Sequence, residues 1–522
     1  MPDLKTAYMN LAASMTAMAN DLMEVAEAMP DTDTAGPGSV PAIPAQPAPL
    51  PVTNLPGDIN PLLREFGIVY EYGDLFKYPA PNGGQPHADY VVSGQTIHNH
   101  YWGSRWYNGP FTIKNKVADL VAAKLIPPFN KALTNIGVHA YAGSYDAQGL
   151  PNRSPAPQPF VYLGARYMGQ TGDTPSIGAV TEYHAAYMAT EDASLVESIG
   201  ATARDLLILP IHVRDPKTGQ PINYQTYPGF STYAAQENSM IDPSLRTGII
   251  GCTPDGLAWD GGHSPSLWFL PFLLTDDPLW LEEGQLQCSF MWANDMPSQG
   301  HVGNQQAREI AWSMRDLIQT IIATRYAEEK GLIRSYHLSS QYFIDTMLTP
   351  TLKWFSTFFG DTSPAGYAKT VNWWGGPMSY APWQFDFLTM VVGWGVWNGI
   401  DELRPLFDWL ATGLVTRLSG ANGWSADCST FYYLANPTED WASSFAALKA
   451  QEPRAADAIL PGHTFIPMLE NDYSDYVGWE GAAARMGKLI GHAGLTPLSV
   501  ALDAKIKTSG IPVNYRHAIG ST

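Results

Sequence analysis

The chain is poor in cysteine, poor in charge and without a long apolar run. Cys252, Cys288 and Cys428 are its only cysteines in 522 residues. So few thiols cannot form a disulfide framework, and with no CxxC pair they do not form a zinc ribbon. Charged residues make up 15% and apolar residues 45%, which excludes an acidic disordered polymer and permits a large core. Bases are the scarcer sign: 30 Lys and Arg against 49 Asp and Glu give a net charge of -19. A coat for DNA or RNA needs a basic surface, so nucleic acid is not an expected partner. The longest apolar stretch, FLTMVVGWGVWNGI at 387–400, is too short to span a bilayer. The opening MPDLKTAYMNLAASMTAMAND has no basic n-region and no continuous apolar centre, so no secretory signal is expected. P-loop, GxGxxG, GxSxG and HExxH patterns are all missing, which removes NTPase, dinucleotide, serine-hydrolase and zinc-protease chemistry. No cofactor is expected. His98 and His100 would share one face of a strand, but spacing marks no third ligand, so no metal is expected either.

What is present begins with a heptad. Leu4, Tyr8, Leu11, Met15, Met18, Leu22, Val25 and Met29 alternate at spacings of four and three, the a/d seam of a coiled coil. Residues 1–29 are therefore expected to be an oligomerisation and anchor helix that makes a homo-oligomer through residues 4–29. Residues 30–58 carry eight prolines from Pro30 to Pro56 and almost no charge. Such a stretch runs extended at about 3.1 Å per residue, a semi-rigid stalk roughly 80 Å long. Coil, stalk and body in that order describe a displayed module, with a virion or surface attachment partner at the N-terminus.

The body changes character along its length. Residues 59–176 contain β-like runs such as FGIVYEYGDL and ADYVVSGQTIHNHYWG, and read as a β-rich segment. Residues 115–134 read as a helix broken at Pro127 and Pro128. Residues 177–522 read as helices. TEYHAAYMATEDASLVESIGATARDLL and, 85 positions later, SLWFLPFLLTDDPLWLEEGQLQCSFMW each join two helices through a Thr-acid-acid turn, with Thr190, Asp192 and Glu197 matching Thr275, Asp277 and Glu282. The turn places a side-chain oxygen to cap the second helix. Further helices are expected at 303–329, 336–359, 383–398, 402–419, 441–450 and 479–507. The all-round apolar segments WFLPFLL and FDFLTMVVGWGVW call for burial on every side, and the loops are too long for a regular solenoid. The expected fold class is mainly α: an α/α toroid of helical hairpins with a β-rich N-terminal segment, preceded by a short coiled coil and a Pro-rich linker.

The run TGDTPSIGAVTEYHAAYMATEDASLVESIGATARDLLILPIHVRDPKTGQPI, with GGHSPSLWFLPFLLTDDPLWLEE and QQAREIAWSMRDLIQTI, is similar to a group of uncharacterised bacterial and phage proteins. Their bodies resemble the α/α-toroid polysaccharide lyases and glycosidases. The resemblance covers roughly residues 160–420 and implies a carbohydrate-active toroid. No lyase catalytic motif matches residue by residue, so it assigns no catalytic role.

In a ring of helix pairs the inner helices point one way, and their starts line one mouth. The starts here are rich in polar and aromatic groups: Glu182, Tyr183 and His184; Asp260 and His263; Asn304, Gln305 and Arg308; Trp383, Gln384 and Asp386; Trp479 and Glu480. Aromatic faces stack on sugar rings, and carboxylates, amides and guanidinium groups bind hydroxyls. The expected catalytic group is Tyr183, His184, Asp260, His263, Asn304, Arg308 and Asp386. The expected substrate-binding group is Glu182, Gln305, Trp383, Gln384, Trp479 and Glu480. Each also has a packing role to offer: a first-turn acid suits the helix dipole, and Arg308 and Arg315 could pair with Glu309 and Asp316. Asp386, set in an apolar helix, needs an Arg or His partner in any case.

Two functions compete. One is a displayed, virion-associated protein that binds and cleaves a surface polysaccharide, by lyase rather than hydrolase chemistry. Elimination would use Asn304 or Arg308 to neutralise a uronate, with His263, or His184 with Tyr183, as base and acid. Hydrolysis would draw two carboxylates from Asp260, Asp386, Glu182 and Glu480. The alternative is a non-catalytic receptor-binding, adhesive or structural fibre protein of a phage. Either is expected to be made in the cytoplasm and to work on a virion or in a released extracellular assembly.

Overall fold

The computed structural model of the protein describes residues 111–134, 178–206, 266–294, 306–371, 379–420, 473–509 and 515–520. It also describes short runs at 69–70, 87–92, 95–100, 106–107, 213–215, 220–223, 433–434 and 444–448, and single residues 218 and 513. The expected coil at 4–29, the linker at 30–58, and Asp260, His263, Asn304 and Gln305 lie outside the described residues. The described chain is predominantly helical.

Four short strands come first: β1 (Val69–Tyr70), β2 (His87–Val92), β3 (Gln95–His100) and β4 (Trp106–Tyr107). β1 pairs antiparallel with β4, and β2 with β3 in a register that sets His87 opposite His100. Much later in the chain, β5 (Val213–Arg214) adds to β3.

Residues 111–134 are mostly not helical. Only α1 (Val117–Ala122) and a 3-10 turn at Lys131–Leu133 form. The reason is in the sequence, since Pro127 and Pro128 remove two N–H donors and the residue before a proline avoids the α region. The segment instead works as a strap. Lys114 and Asn115 donate backbone N–H bonds to Leu274 O at 2.7 and 3.1 Å. Lys124 O and Leu125 O accept from Asn398 Nδ2 (2.9 Å) and Trp394 Nε1 (3.2 Å). Phe129 bridges Ile519, and Gly520 N donates to Pro128 O at 2.8 Å.

The helices pair as the Thr-acid-acid turns predict. α2 (Glu182–Thr190) is followed by a 3-10 turn and α3 (Val196–Leu206); α4 (Phe269–Thr275) is followed by α5 (Pro278–Asn294). Both turns have the same bonds. Thr190 and Thr275 donate to the carbonyl four residues back, each at 2.7 Å. Their Oγ1 atoms accept from Asp192 N and Asp277 N at 3.3 and 3.2 Å. The two aspartates then accept from Ser194 N and Leu279 N at 2.9 and 3.0 Å. Glu191 and Asp276, between them, have positive φ of 50° and 53°. Asp192→Ala and Asp277→Ala are each expected to cost about 1 kcal/mol or more as lost caps, read as a lower thermal midpoint.

α6 (Ala307–Lys330) is the longest helix. After it come α7 (Ser340–Phe343), a π-helical turn (Ile344–Leu348), α8 (Thr349–Ser356) and α9 (Pro364–Ala368). β6 (Ser379–Tyr380) leads into α10 (Pro382–Asn398) and α11 (Arg404–Arg417), and pairs with β7 (Tyr433–Leu434). The expected single helix at 479–507 is two helices, α12 (Tyr473–Leu489) and α13 (Leu495–Ser509). Gly491 at φ 74° turns the chain, and His492 Nδ1 accepts from Leu495 N at 3.2 Å to begin α13. The helix expected at 336–359 is likewise divided by the π turn.

The packing follows from the all-round apolar helices. α10 lies between α6 and α12 with α11 against a third side, and Pro382–Val396 are all buried. Trp268, Trp312, Trp383, Trp394 and Trp479 are buried with it. Edge-on and tilted ring pairs run from Trp312 to Phe387 to Trp479 and link α6, α10 and α12. Neighbour contacts pass from α2 to α3, α4, α6, α10 and α12, then return to α2 through the 3-10 turn Tyr515–His517.

Candidate functional site

Three helix starts carry described residues of the expected site, α2, α6 and α10, while Trp479 and Glu480 lie well inside α12, which begins at Tyr473 rather than at 479. Specific bonds tie them together. Gln384, in the first turn of α10, accepts from the backbone N–H of Arg308 at the start of α6 at 3.1 Å. Asp386, two residues further on, accepts from Arg417 Nη2 with both oxygens at 2.9 and 2.8 Å. The same Arg417 nitrogen reaches Glu480 Oε1 on α12 at 3.1 Å. Tyr380 Oη accepts from Arg417 Nη1 at 3.2 Å. At the other end of this line, the Arg516 guanidinium lies 5.6 Å from the Trp479 ring centre and 4.0 Å from Glu182.

A second set of bonds fixes the approach to α2 and α4. On α6, Arg315 donates to Gly178 O at 3.1 Å, and Gln319 Nε2 donates to Ala179 O. Gln319 Oε1 accepts from Ser266 Oγ, just before α4. Asp316 holds Arg315 at 2.7 Å and accepts from Gln287 on α5 at 3.1 Å, while the Arg315 guanidinium stacks 4.5 Å from the Trp312 ring centre. One turn of α6 thus positions the segments that enter two other helices. Arg315 pairs with Asp316, as the sequence allowed.

Burial sorts the expected residues. Asp386, Glu480, Trp383, Trp479, Gln384 and His184 are all at most 2% exposed. Glu182 is nearly buried, whereas Tyr183 and Arg308 remain half-buried. Burial moves the pKa of His184 down to about 3, so the imidazole is neutral at ordinary pH. Among the described residues neither of its ring nitrogens has a hydrogen-bond partner, and its ring meets Tyr183 edge-on at 4.8 Å. Burial pushes Tyr380 up to about 12, against the opposing pull of Arg417. Burial also raises Glu480 well above the carboxylate range, and Arg417 offsets this only in part because Asp386 adds to the rise. Burial disfavours a charged Arg417, but Asp386, Tyr380 and Glu480 outweigh it and hold the guanidinium firmly protonated.

No family model, curated protein or solved structure matches this chain. Its chemistry therefore has to be read from its own residues. Asp386 and Glu480 meet around one arginine and have no route to water, an arrangement suited to holding helices. Arg308 differs. It sits half-buried at a helix start, and Asn304 and Gln305 come shortly before its helix in the chain. A guanidinium so placed can receive a carboxylate or a sugar hydroxyl. Sequence reasoning missed Arg417 and Arg516. Arg417 had a signal: in a helical hairpin the last turn of the second helix lies beside the first turn of the first, which brings residue 417 to residue 386. Among the described residues no group of three or more His, Cys, Asp or Glu could hold a metal, and no helix is long and apolar enough to cross a membrane.

Proposed function

We propose that the protein is a displayed, virion-associated carbohydrate-active protein. In this reading an α/α toroid takes a surface polysaccharide at the mouth formed by its inner helix starts. The coil at 4–29 and the Pro-rich stalk hold the body away from its anchor as a homo-oligomer, and residues 59–176 form a β-rich side of the body. The observation that carries the reading is the bonding of the inner helices to one another: Arg308 with Gln384, Asp386 and Glu480 through Arg417, and Glu182 with Trp479 through Arg516. The return of helix contacts to α2 supports a closed ring.

Elimination suits these residues better than hydrolysis. Hydrolysis needs two carboxyl groups flanking the scissile bond, with water admitted to one of them. Asp386 and Glu480 are committed to Arg417 and shut from water. Elimination needs a cation or amide on the uronate carboxylate and a group that takes the proton from C5. The C5–H electrons then form the C4=C5 double bond, the C4–O bond breaks, and the departing oxygen takes up a proton. Arg308, with Asn304 and Gln305 nearby in sequence, fills the first role, and His263, outside the described residues, is the candidate for the second, since the Tyr183 hydroxyl is buried. His184 stands behind Tyr183, enclosed.

The test is incubation with a panel of capsular and algal polyuronates, following the ultraviolet absorbance of unsaturated uronate and the release of reducing ends. Arg308→Ala is expected to lower turnover at least about tenfold, the worth of one charge-assisted hydrogen bond, with an unchanged thermal midpoint. The burial of so many expected site residues favours the second reading, a non-catalytic receptor-binding or adhesive fibre protein. Retention on a glycan array without turnover across the panel would decide for it.

A further inference from the structure

The buried cluster at the start of α10 holds one cation against two carboxyl groups. Arg417 is 1% exposed and Glu480 is fully buried, and Arg417 gives Asp386 two short bonds and Glu480 one longer one. Glu480 Oε2 has no hydrogen-bond partner among the described residues. Two ionised carboxylates and one guanidinium would leave a net negative charge buried away from water, and Glu480 Oε2 would face it without a donor among the described residues. One bound proton removes that charge. It belongs on the carboxyl that Arg417 serves less well.

We propose that Glu480 is a neutral carboxylic acid in the folded protein and that its neutrality latches α12 to α10 and α11. Every neighbouring element is consistent with this. α10 presents Asp386, which keeps its charge through bidentate pairing. α11 presents Arg417, and β6 presents the un-ionised phenol of Tyr380. α13 contributes Lys505, whose field on Glu480 is weaker than those of Arg417 and Asp386. The 3-10 turn 515–517 directs Arg516 and His517 to the Trp479 ring. Loss of the proton places two anions around a single arginine, so the latch loosens in alkali.

The sign follows from linkage. Glu480 binds a proton in the folded chain above the pH at which the unfolded chain releases it, so unfolding gives the proton up. Stability from this group is complete below the ordinary glutamate range and is lost progressively as pH rises from there toward the raised folded-state value. The experiment is thermal unfolding of the full chain across a pH series, with Glu480→Gln as the uncharged mimic of the acid. The variant should match the wild type in acid, melt at or above it at neutral pH, and lose part of the alkaline fall. An infrared difference spectrum, wild type minus variant, should show a protonated carboxyl band at neutral pH. That band should also vanish in Asp386→Asn, where Arg417 has only Glu480 to pair with. A variant that melts lower at neutral pH or fails to fold, a pH dependence parallel to the wild type, or an absent carboxyl band each overturns the proposal.

Discussion

Arg417→Met is expected to cost about 3–5 kcal/mol, the usual penalty for stranding a buried charge. The methionine fills most of the volume but leaves Asp386 without the nitrogen that both its oxygens accept from and removes the hydrogen bond to Glu480 Oε1. Denaturant unfolding should show a lower midpoint with little change in slope, since the surface exposed on unfolding hardly alters. The comparison that gives this meaning is a triple replacement of Asp386, Glu480 and Arg417 by apolar residues of similar volume. It should recover most of the loss, because no uncompensated charge then remains. A single Arg417→Met variant as stable as the wild type would mean that the cluster opens to water.

Trp479→Ala is expected to be as severe, at about 3–5 kcal/mol for an aromatic removed from a packed core. Its ring fills the junction of three elements. Phe387 lies against it at 5.1 Å and His517 edge-on at 4.3 Å, and a Cβ added to Gly178 would come within 3.3 Å of it. None of these partners can collapse into the space without moving a helix. A sugar-stacking tryptophan on an open surface would behave otherwise: its loss would weaken glycan retention and leave the thermal midpoint nearly unchanged. Thermal unfolding of this one variant therefore separates a packing role from a binding role at a position where the sequence allowed either.

The helices were legible because their signals are local. The Pro at position 382, the all-round apolar run after it and the glycine at 399 bound α10 nearly where the pattern put it. The Thr-acid-acid turns were readable for the same reason, since every bond they need lies within a few residues. Misreadings arose where a local break sat inside a continuous apolar pattern. Gly491 and Gly494 interrupt what reads as one helix, and the π turn at 344–348 has no marker comparable to proline. At the site, sequence found the starts of α2, α6 and α10 but not that of α12, and not the burial of any of them. Whether a first turn faces water depends on what arrives from far along the chain, and Arg417 and Arg516 arrive from 31 and 334 positions away to meet Asp386 and Glu182. Period and capping carry no information about such meetings.

The two Thr-acid-acid turns have a consequence for engineering. One joins a mostly buried helix to an amphipathic one, and the other joins two helices buried throughout their described residues, yet the threonine and capping bonds are the same. Those bonds all lie within the turn itself. Such a turn is a portable joint, able to set two rods antiparallel in a scaffold that shares no other residue with this protein.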